Sequence, residues 1–336
     1  MKFIHIGDAH IRSQTWANLP QVTGDASKAV DIITAHAKHE GIKTLVLSGD
    51  VFHSSKPTSA DVGIFHKLIS AFDKILYIEG NHEKAEPPWL DSLGSESSCE
   101  FIHLRSDVPV IVDIVHFCGI DYTRSRDELM SRLDDVRRVR LPVVLVMHAG
   151  FKHMINFEGA SNVSATDLDG IDCQVLVSHV HKRVTYKNIH SPGPLFPQSW
   201  EEVCPCYVDV ITTDPWTIDK LDVTVRNYYT VSLKDLDGFT PDNSVLPSVV
   251  RVLTDDPKDI IPEIHGCIVV PVITGSSVDP GTSEVSVSSK TIEQAIMEDY
   301  EDPEDGLLML ELYKAESPKE FIDKFLTDNN ISRRTL

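Results

Sequence analysis

The chain has 336 residues, 41% of them hydrophobic, which is enough for one large domain and one or two small ones. Its net charge of −20 argues against a self-sufficient nucleic-acid groove, because such grooves need a basic footprint. No run of about 18 uncharged apolar residues occurs, so no transmembrane helix is expected. The six cysteines lack a framework spacing, and Met1-Lys2-Phe3-Ile4-His5 runs straight into a strand pattern without a cleavage region. A reduced, cytoplasmic protein is expected. Cys204-Pro205-Cys206 has no two further ligands nearby and reads as an ordinary strand edge.

In chain order, Phe3-Ile4-His5-Ile6 is a short apolar strand that stops at Gly7-Asp8-Ala9-His10. Residues 25–39 carry Val30, Ile33 and Ala37 at helical spacing and read as a crossover helix. A second strand, Thr44-Leu45-Val46-Leu47, runs into Ser48-Gly49-Asp50-Val51-Phe52-His53. Thr58-Ser59-Ala60-Asp61 resembles a capping box, followed by the stripe Val62, Phe65, Leu68, Ile69 and Phe72. Ile75-Leu76-Tyr77-Ile78 ends in Glu79-Gly80-Asn81-His82-Glu83, and residues 84–98 read as a long polar loop. Residues 110–120 suggest paired strands of a second sheet.

Residues 127–139 form a helix with Leu129, Leu133 and Val136 on one face. The six arginines of residues 124–140 could suggest nucleic acid, but Glu128–Arg132 and Asp134–Arg138 are favourable (i, i+4) pairs, so an ion-paired face is expected. Val143-Val144-Leu145-Val146-Met147 stops at His148, and a Gly- and Ser-rich loop over 150–170 is suited to gating. Val175-Leu176-Val177 stops at Ser178-His179-Val180-His181. Residues 184–186 and 206–211 look like strands closing the second sheet. Pro215-Trp216 and Arg226-Asn227-Tyr228 mark an exit from the first domain. Residues 248–253 and 267–272, around 256–265, read as a β-α-β unit. Residues 274–289 read as a linker, followed by short acidic helical segments over 291–326.

Five apolar runs thus stop at Asp, Asn or His. One histidine after a strand is usually an ordinary hydrogen-bonded residue, but five coinciding strand ends are not expected by chance. If the strands are neighbours in one sheet, their carboxyl ends gather these side chains along one edge. Carboxylate and imidazole donors together suit manganese, iron or zinc. Asp50, in the central strand, is assigned as a bridge between two ions. Asp8, His10 and His181 would complete one ion, and Asn81, His148 and His179 the other. His82, directly after a ligand, is the natural general acid. His53, three residues past Asp50, would orient phosphate or His82.

These motifs, Asp-x-His, Gly-Asp-x-x-His, Gly-Asn-His-Glu, a lone strand-end His and His-x-His, resemble the calcineurin-type metallophosphoesterases in this order. Val51-Phe52-His53 and the turn Ser191-Pro192-Gly193-Pro194-Leu195 are similar to the SbcD-type nucleases, nuclease subunits of the double-strand-break repair complex. Two departures stand out: Ser178 in place of Gly before His179, and Glu83 in place of the commoner Asp. The resemblance covers roughly the first 200 residues by motif. It implies an α/β metallophosphoesterase fold of two packed mixed β-sheets flanked by helices, with a small α+β capping domain and C-terminal helices. The domains expected are 1–225 (nuclease), 226–275 (cap) and 276–336 (linker and partner-binding helices).

The resemblance further implies a DNA exonuclease and endonuclease with two divalent ions, manganese first and magnesium, iron or zinc as alternatives. Its partners would be DNA, an SMC-like ATPase of the SbcC type and a second copy of the chain. The short chain, compact cap and acidic tail look more like a phage-encoded version, acting in the host cytoplasm. Candidates for a basic patch near the site are Arg12, Lys152, Lys182 and Arg183. The alternatives are a small-molecule or nucleotide phosphodiesterase of the same superfamily, and a non-catalytic scaffold that kept the fold. The intact ligand set argues against the scaffold, and the extra β-α-β unit against the small-molecule enzyme.

Overall fold

The computed structural model describes residues 1–274 apart from 17–18, 84–88, 96–97, 153–161, 243 and 257. The chain divides into two units, Met1–Thr282 and Ser283–Leu336. The linker and helices expected over 276–336 lie outside the described residues.

The elements of the first half follow the sequence pattern. Strand β1 (Lys2–Ile6) leads into the hairpin β2 (Gln14–Trp16) and β3 (Leu19–Thr23), helix α1 (Asp25–Glu40) and strand β4 (Thr44–Ser48). Helix α2 (Ser59–Ile69) begins at the expected capping box, in which Thr58 and Asp61 each bond the other's backbone N–H. Strand β5 (Lys74–Ile78) and a short helix α3 (Trp89–Ser95) follow, so the segment expected to be all loop contains a helix. Then come β6 (Glu100–His103), the pair β7 (Val110–Val112) and β8 (Val115–Ile120), and helix α4 (Arg126–Val139). On α4, Arg132 bonds Glu128 as expected, whereas Arg137 takes Asp134 and Arg138 takes Asp135 at (i, i+3).

The second half continues with β9 (Val143–His148), the two-residue strands β10 (Gly150–Phe151) and β11 (Asn162–Val163), and β12 (Cys173–Ser178). It ends with β13 (Val184–Tyr186), β14 (Ile189–Ser191), β15 (Tyr207–Thr213), β16 (Trp216–Asp222), β17 (Tyr228–Ser232), β18 (Ser248–Thr254) and β19 (Cys267–Ile273).

Two six-stranded mixed sheets carry the fold, ordered β16-β15-β1-β4-β5-β6 and β13-β14-β12-β9-β8-β7. The apolar runs are continuous because both faces of each sheet are covered. Phe3, Val46, Leu76 and Ile78 meet Phe117, Val144, Val146 and Leu176 between the sheets. Ile4, Leu45, Leu47 and Ile75 face Val30, Ile33, Phe65 and Leu68 of α1 and α2 on one outside. Leu145, Met147 and Val175 face Leu129, Leu133 and Val136 of α4 on the other. Each such fully buried side chain contributes about 1.5–3 kcal/mol.

Three placements differ from expectation. The motif strands do not share one sheet: β1, β4 and β5 belong to the first, β9 and β12 to the second. Residues 207–213 pair antiparallel with β1 and so extend the first sheet, with Trp216 opening β16 rather than leaving the domain. Strands β18 and β19 are parallel, as a β-α-β unit requires, but the described residues between them form no helix. Strand β17 completes a three-stranded parallel sheet with them. Arg226 anchors it to the start of α1: its buried guanidinium donates to Asp25 at 3.0 Å and to the Thr23 carbonyl at 2.8 Å.

Candidate metal centre

The carboxyl ends of the five motif strands converge where the two sheets meet. Parallel pairing sets Ile6 beside Leu47 and Ser48 beside Ile78 in one sheet, and His148 beside Ser178 in the other. Past these ends the backbone enters the left-handed region at Asp8 (φ 44°), His10 (42°), Asp50 (48°) and His179 (106°). Side-chain-bearing residues rarely adopt such values, and they cluster at functional sites. Gly49 (φ 93°) fits because a Cβ there would lie 2.5 Å from His148 Nδ1.

The predicted donors come together in two groups. Those of Asp8, His10 and His181 lie within 4.8 Å of one another, as do those of Asp50, His148 and His179. His10 Nε2 is 3.0 Å from His181 Nε2. Asn81 Oδ1 is 3.1 Å from His148 Nε2 and 3.0 Å from His179 Nδ1. Asp50 Oδ2 stands between the groups, 3.6 Å from His10 Nε2 and 3.4 Å from His148 Nε2. Separations of this size are the edge lengths of a coordination shell whose metal–nitrogen bonds are about 2.0–2.1 Å. The donor set therefore fits two divalent ions that share Asp50.

The electrostatics agree with shared cation sites. Burial alone would lower His148, but the hydrogen bond and charge of Asp50, with Asp8 behind it, raise it to about 9. Burial would likewise raise Asp50, yet the hydrogen bond and charge of His148, with His10, hold its carboxyl well below the usual carboxylate range. A cation held by this pair competes with that proton. Burial, with His148 nearby, lowers His179 to about 4 and keeps it in the neutral form that ligates.

Partners outside the donor set orient the rings. His148 Nδ1 donates to the Ser48 carbonyl at 2.9 Å, which leaves Nε2 toward the centre. Ser178, the unusual residue before His179, donates through Oγ to the same carbonyl and sits 3.0 Å from His148 Nδ1. His181 Nδ1 donates to Glu202 at 2.9 Å. Glu83 accepts from the backbone N–H groups of Asp50, Val51, Phe52 and Gly80. His82 N–H donates to Asp50 Oδ1 at 2.9 Å and His82 Nδ1 to the His53 carbonyl at 2.7 Å. His53 lies at the rim, its ring centroid 5.7 Å from that of His82.

Sequence reasoning missed Ser48 and Glu202 as orienting partners and Tyr122, whose ring lies 5.1 Å from that of His179. Glu83 was visible in Gly-Asn-His-Glu, but only as a motif letter. Of the basic candidates, Lys152 and Lys182 are exposed. Arg183 is instead held inward, 2.6 Å from the buried carboxylate of Asp209, and Arg12 lies 2.8 Å from His53 Nε2.

Residues 1–183 match the calcineurin-like phosphoesterase family. The chain belongs to that family. It is thus a metal-dependent hydrolase. The DNA double-strand break repair protein Mre11 of Halobacterium salinarum is 30% identical over 126 residues, 36% of this chain and 32% of that protein. Mre11 of Archaeoglobus fulgidus is 26% identical over 181 residues, 47% of this chain and 40% of that protein. This calcineurin-like phosphoesterase therefore spans less than half the length of these curated relatives. Among solved structures, TT1561 of Thermus thermophilus aligns at TM-score 0.48 and 11% identity, over 66% of this chain and 99% of that one. No helix among the described residues is long and apolar enough to cross a membrane.

Proposed function

We propose that the chain hydrolyses phosphodiester bonds of DNA, as exonuclease and endonuclease, in recombination, repair or replication. The observation that carries the chemistry is Asp50 Oδ2 standing within 3.6 Å of donors from both groups. Support for DNA comes from the relatives named for double-strand break repair.

Two divalent ions, manganese first, supply an activated water and a clamp for the phosphate oxygens when bound. Asp8, His10 and His181 would hold one, Asn81, His148 and His179 the other, with Asp50 between the two groups. His82 donates its Nδ1–H to the His53 carbonyl, so Nε2 is the ring atom left to give a proton to the leaving oxygen. His53 orients that neighbour.

The working form in this proposal is a cytoplasmic homodimer paired with an SMC-like ATPase, through residues 276–336. That partner supplies the DNA grip which a chain at −20 lacks. One observation favours a nucleotide or small phosphodiester substrate instead: Arg183 and the α4 residues Arg126, Arg132, Arg137 and Arg138 are all paired with carboxylates.

The deciding experiment is metal analysis with digestion of end-labelled single- and double-stranded DNA, against bis-(p-nitrophenyl) phosphate. Metal-dependent cleavage of DNA supports the nuclease, and hydrolysis of the small ester alone supports the second reading. Asp50→Asn is the control, expected to lose at least about 1000-fold, since one carboxylate organises both halves of the site.

A further inference from the structure

The loop after β1 and the loop after β4 do not separate where their strands end. His10 N–H donates to the Asp50 carbonyl at 2.9 Å, Ile11 N–H to Val51 at 2.8 Å, and Ile11 and Phe52 form a parallel bridge. The pairing of β1 with β4 therefore continues through both motifs and sets Arg12 beside His53. There Arg12 Nη1 lies 2.8 Å from His53 Nε2.

We propose that Arg12 is a positioning residue for both rim histidines, acting as the outermost donor of a hydrogen-bonded relay Arg12–His53–His82–Asp50. This rests on the hydrolytic reading of the site given above. A guanidinium carries donors only, so His53 Nε2 must accept, and the ring proton of His53 must sit on Nδ1. The same residue's carbonyl accepts from His82 Nδ1 at 2.7 Å, and His82 N–H donates to Asp50 Oδ1 at 2.9 Å. Fixing the His53 ring thus fixes the segment on which His82 rests. Arg12 is itself half-buried and its Nη1 meets His53 Nε2, so its guanidinium is set by its surroundings rather than sweeping through solvent. Its role is to orient other groups, not to grip substrate.

Three substitutions in the full chain separate donation from charge and from packing. Arg12→Gln keeps a donor without charge, Arg12→Lys keeps both, and Arg12→Leu keeps neither. With Mn2+ and end-labelled DNA, whose leaving oxygen needs the proton of His82, Arg12→Leu is expected to lower kcat on the order of 10- to 100-fold with KM nearly unchanged, the scale of a misplaced catalytic group. Arg12→Gln should recover most of it. In a His53→Ala background, Arg12→Leu should add less than about twofold, because residues acting as one unit are non-additive.

A second readout needs neither metal nor turnover: the 15N shifts of His53. They should report the Nδ1–H tautomer in the wild type and in Arg12→Gln, and a tautomer mixture in Arg12→Leu. Rescue by Lys but not Gln, or a rise in KM alone, would make Arg12 a phosphate contact and overturn the proposal. So would a full additional loss in the His53→Ala background, or an Nε2–H tautomer in the wild type. A wild type without metal-dependent hydrolysis would sink the functional reading, while the His53 tautomer still decides the relay.

Discussion

Glu83 holds the turn that carries Asp50. One carboxylate oxygen accepts from Asp50 N–H at 2.8 Å and Gly80 N–H at 2.7 Å, and the other from Val51 N–H at 2.7 Å and Phe52 N–H at 3.2 Å. The carboxylate is buried, so burial first, and then Asp50, push it up to about 7. Both oxygens nevertheless face only donors, and the ionised form is the one this geometry accommodates.

Glu83→Gln sets an NH2 group against backbone N–H groups that Glu83 accepts in the wild type. The expected result is destabilisation of about 1–3 kcal/mol, the cost of unsatisfied buried donors, together with weaker binding of both ions. Thermal unfolding and metal titration check it. An unchanged Tm with normal metal binding would show that the turn holds without Glu83.

His82 and His53 are predicted to fail differently. His82→Ala should keep two bound ions and lose turnover on DNA by about 100-fold or more, the usual scale of a lost general acid. The loss should shrink on p-nitrophenyl esters, whose leaving group needs no proton. Equal losses on both substrates would make His82 a positional residue. His53→Ala should lower activity with metal stoichiometry still at two, and a fall to one ion would make it a ligand.

What was legible in the sequence, and what was not, follows from the range of the interactions. Asp8, His10, Asp50, Asn81, His148, His179 and His181 could be picked out because each ends an apolar run in a turn, which is local information. The Thr58 capping box is local too, and it is present. The expectation that all five strands share a sheet failed because β9 and β12 look like any buried parallel strand, and nothing in an apolar run says which neighbour it pairs with. The placement of 207–213 against β1 rests on a pairing some 200 residues apart in sequence, as His5 with Asp209 shows. Arg183 read as a groove residue because a basic side chain beside His181 gives no hint of a buried Asp209. Glu202 was invisible for the same reason, lying 21 residues from His181.

The Asp209 network yields a pH prediction. Asp209 is buried between the sheets, with Arg183 at 2.6 Å and His5 Nδ1 at 3.5 Å. Burial alone would raise its carboxyl, but the His5 ring beside it and the hydrogen-bonded Arg183 guanidinium hold it below the ordinary value of 3.8. A carboxyl depressed in the folded state adds stability that is complete above its unfolded value and is lost as pH falls through the folded one. Asp209→Asn should therefore cost on the order of 3 kcal/mol near pH 7, the scale of breaking a buried pair. The gap between wild type and variant should be full above about pH 4, the unfolded reference value, and narrow as pH falls below it toward the depressed folded value. Denaturant melts across pH 3–7 check this, and a gap independent of pH would assign the loss to packing alone.

Glu202 offers the test that separates the two halves of the site. Its Oε1 accepts from His181 Nδ1 at 2.9 Å, and its Oε2 accepts from the Gln198 backbone N–H at 2.9 Å. It ends the turn Trp200–Glu202, whose first residue packs its ring against Trp16 at 5.2 Å and under the Arg251 guanidinium at 5.0 Å. His181 belongs with Asp8 and His10, and His148 and His179 orient through other partners. Removing an orienting carboxylate from a ligating histidine typically weakens metal affinity by about 10- to 100-fold. Glu202→Ala should therefore weaken one ion by that factor and leave the other near its wild-type affinity. Calorimetric titration with Mn2+ would then resolve one tight and one weak event in place of two tight ones. Glu202→Gln, which keeps an acceptor for His181 Nδ1–H, should fall between. If both ions weaken together, the two donor groups fill as one unit through Asp50, and His181 is not confined to one of them.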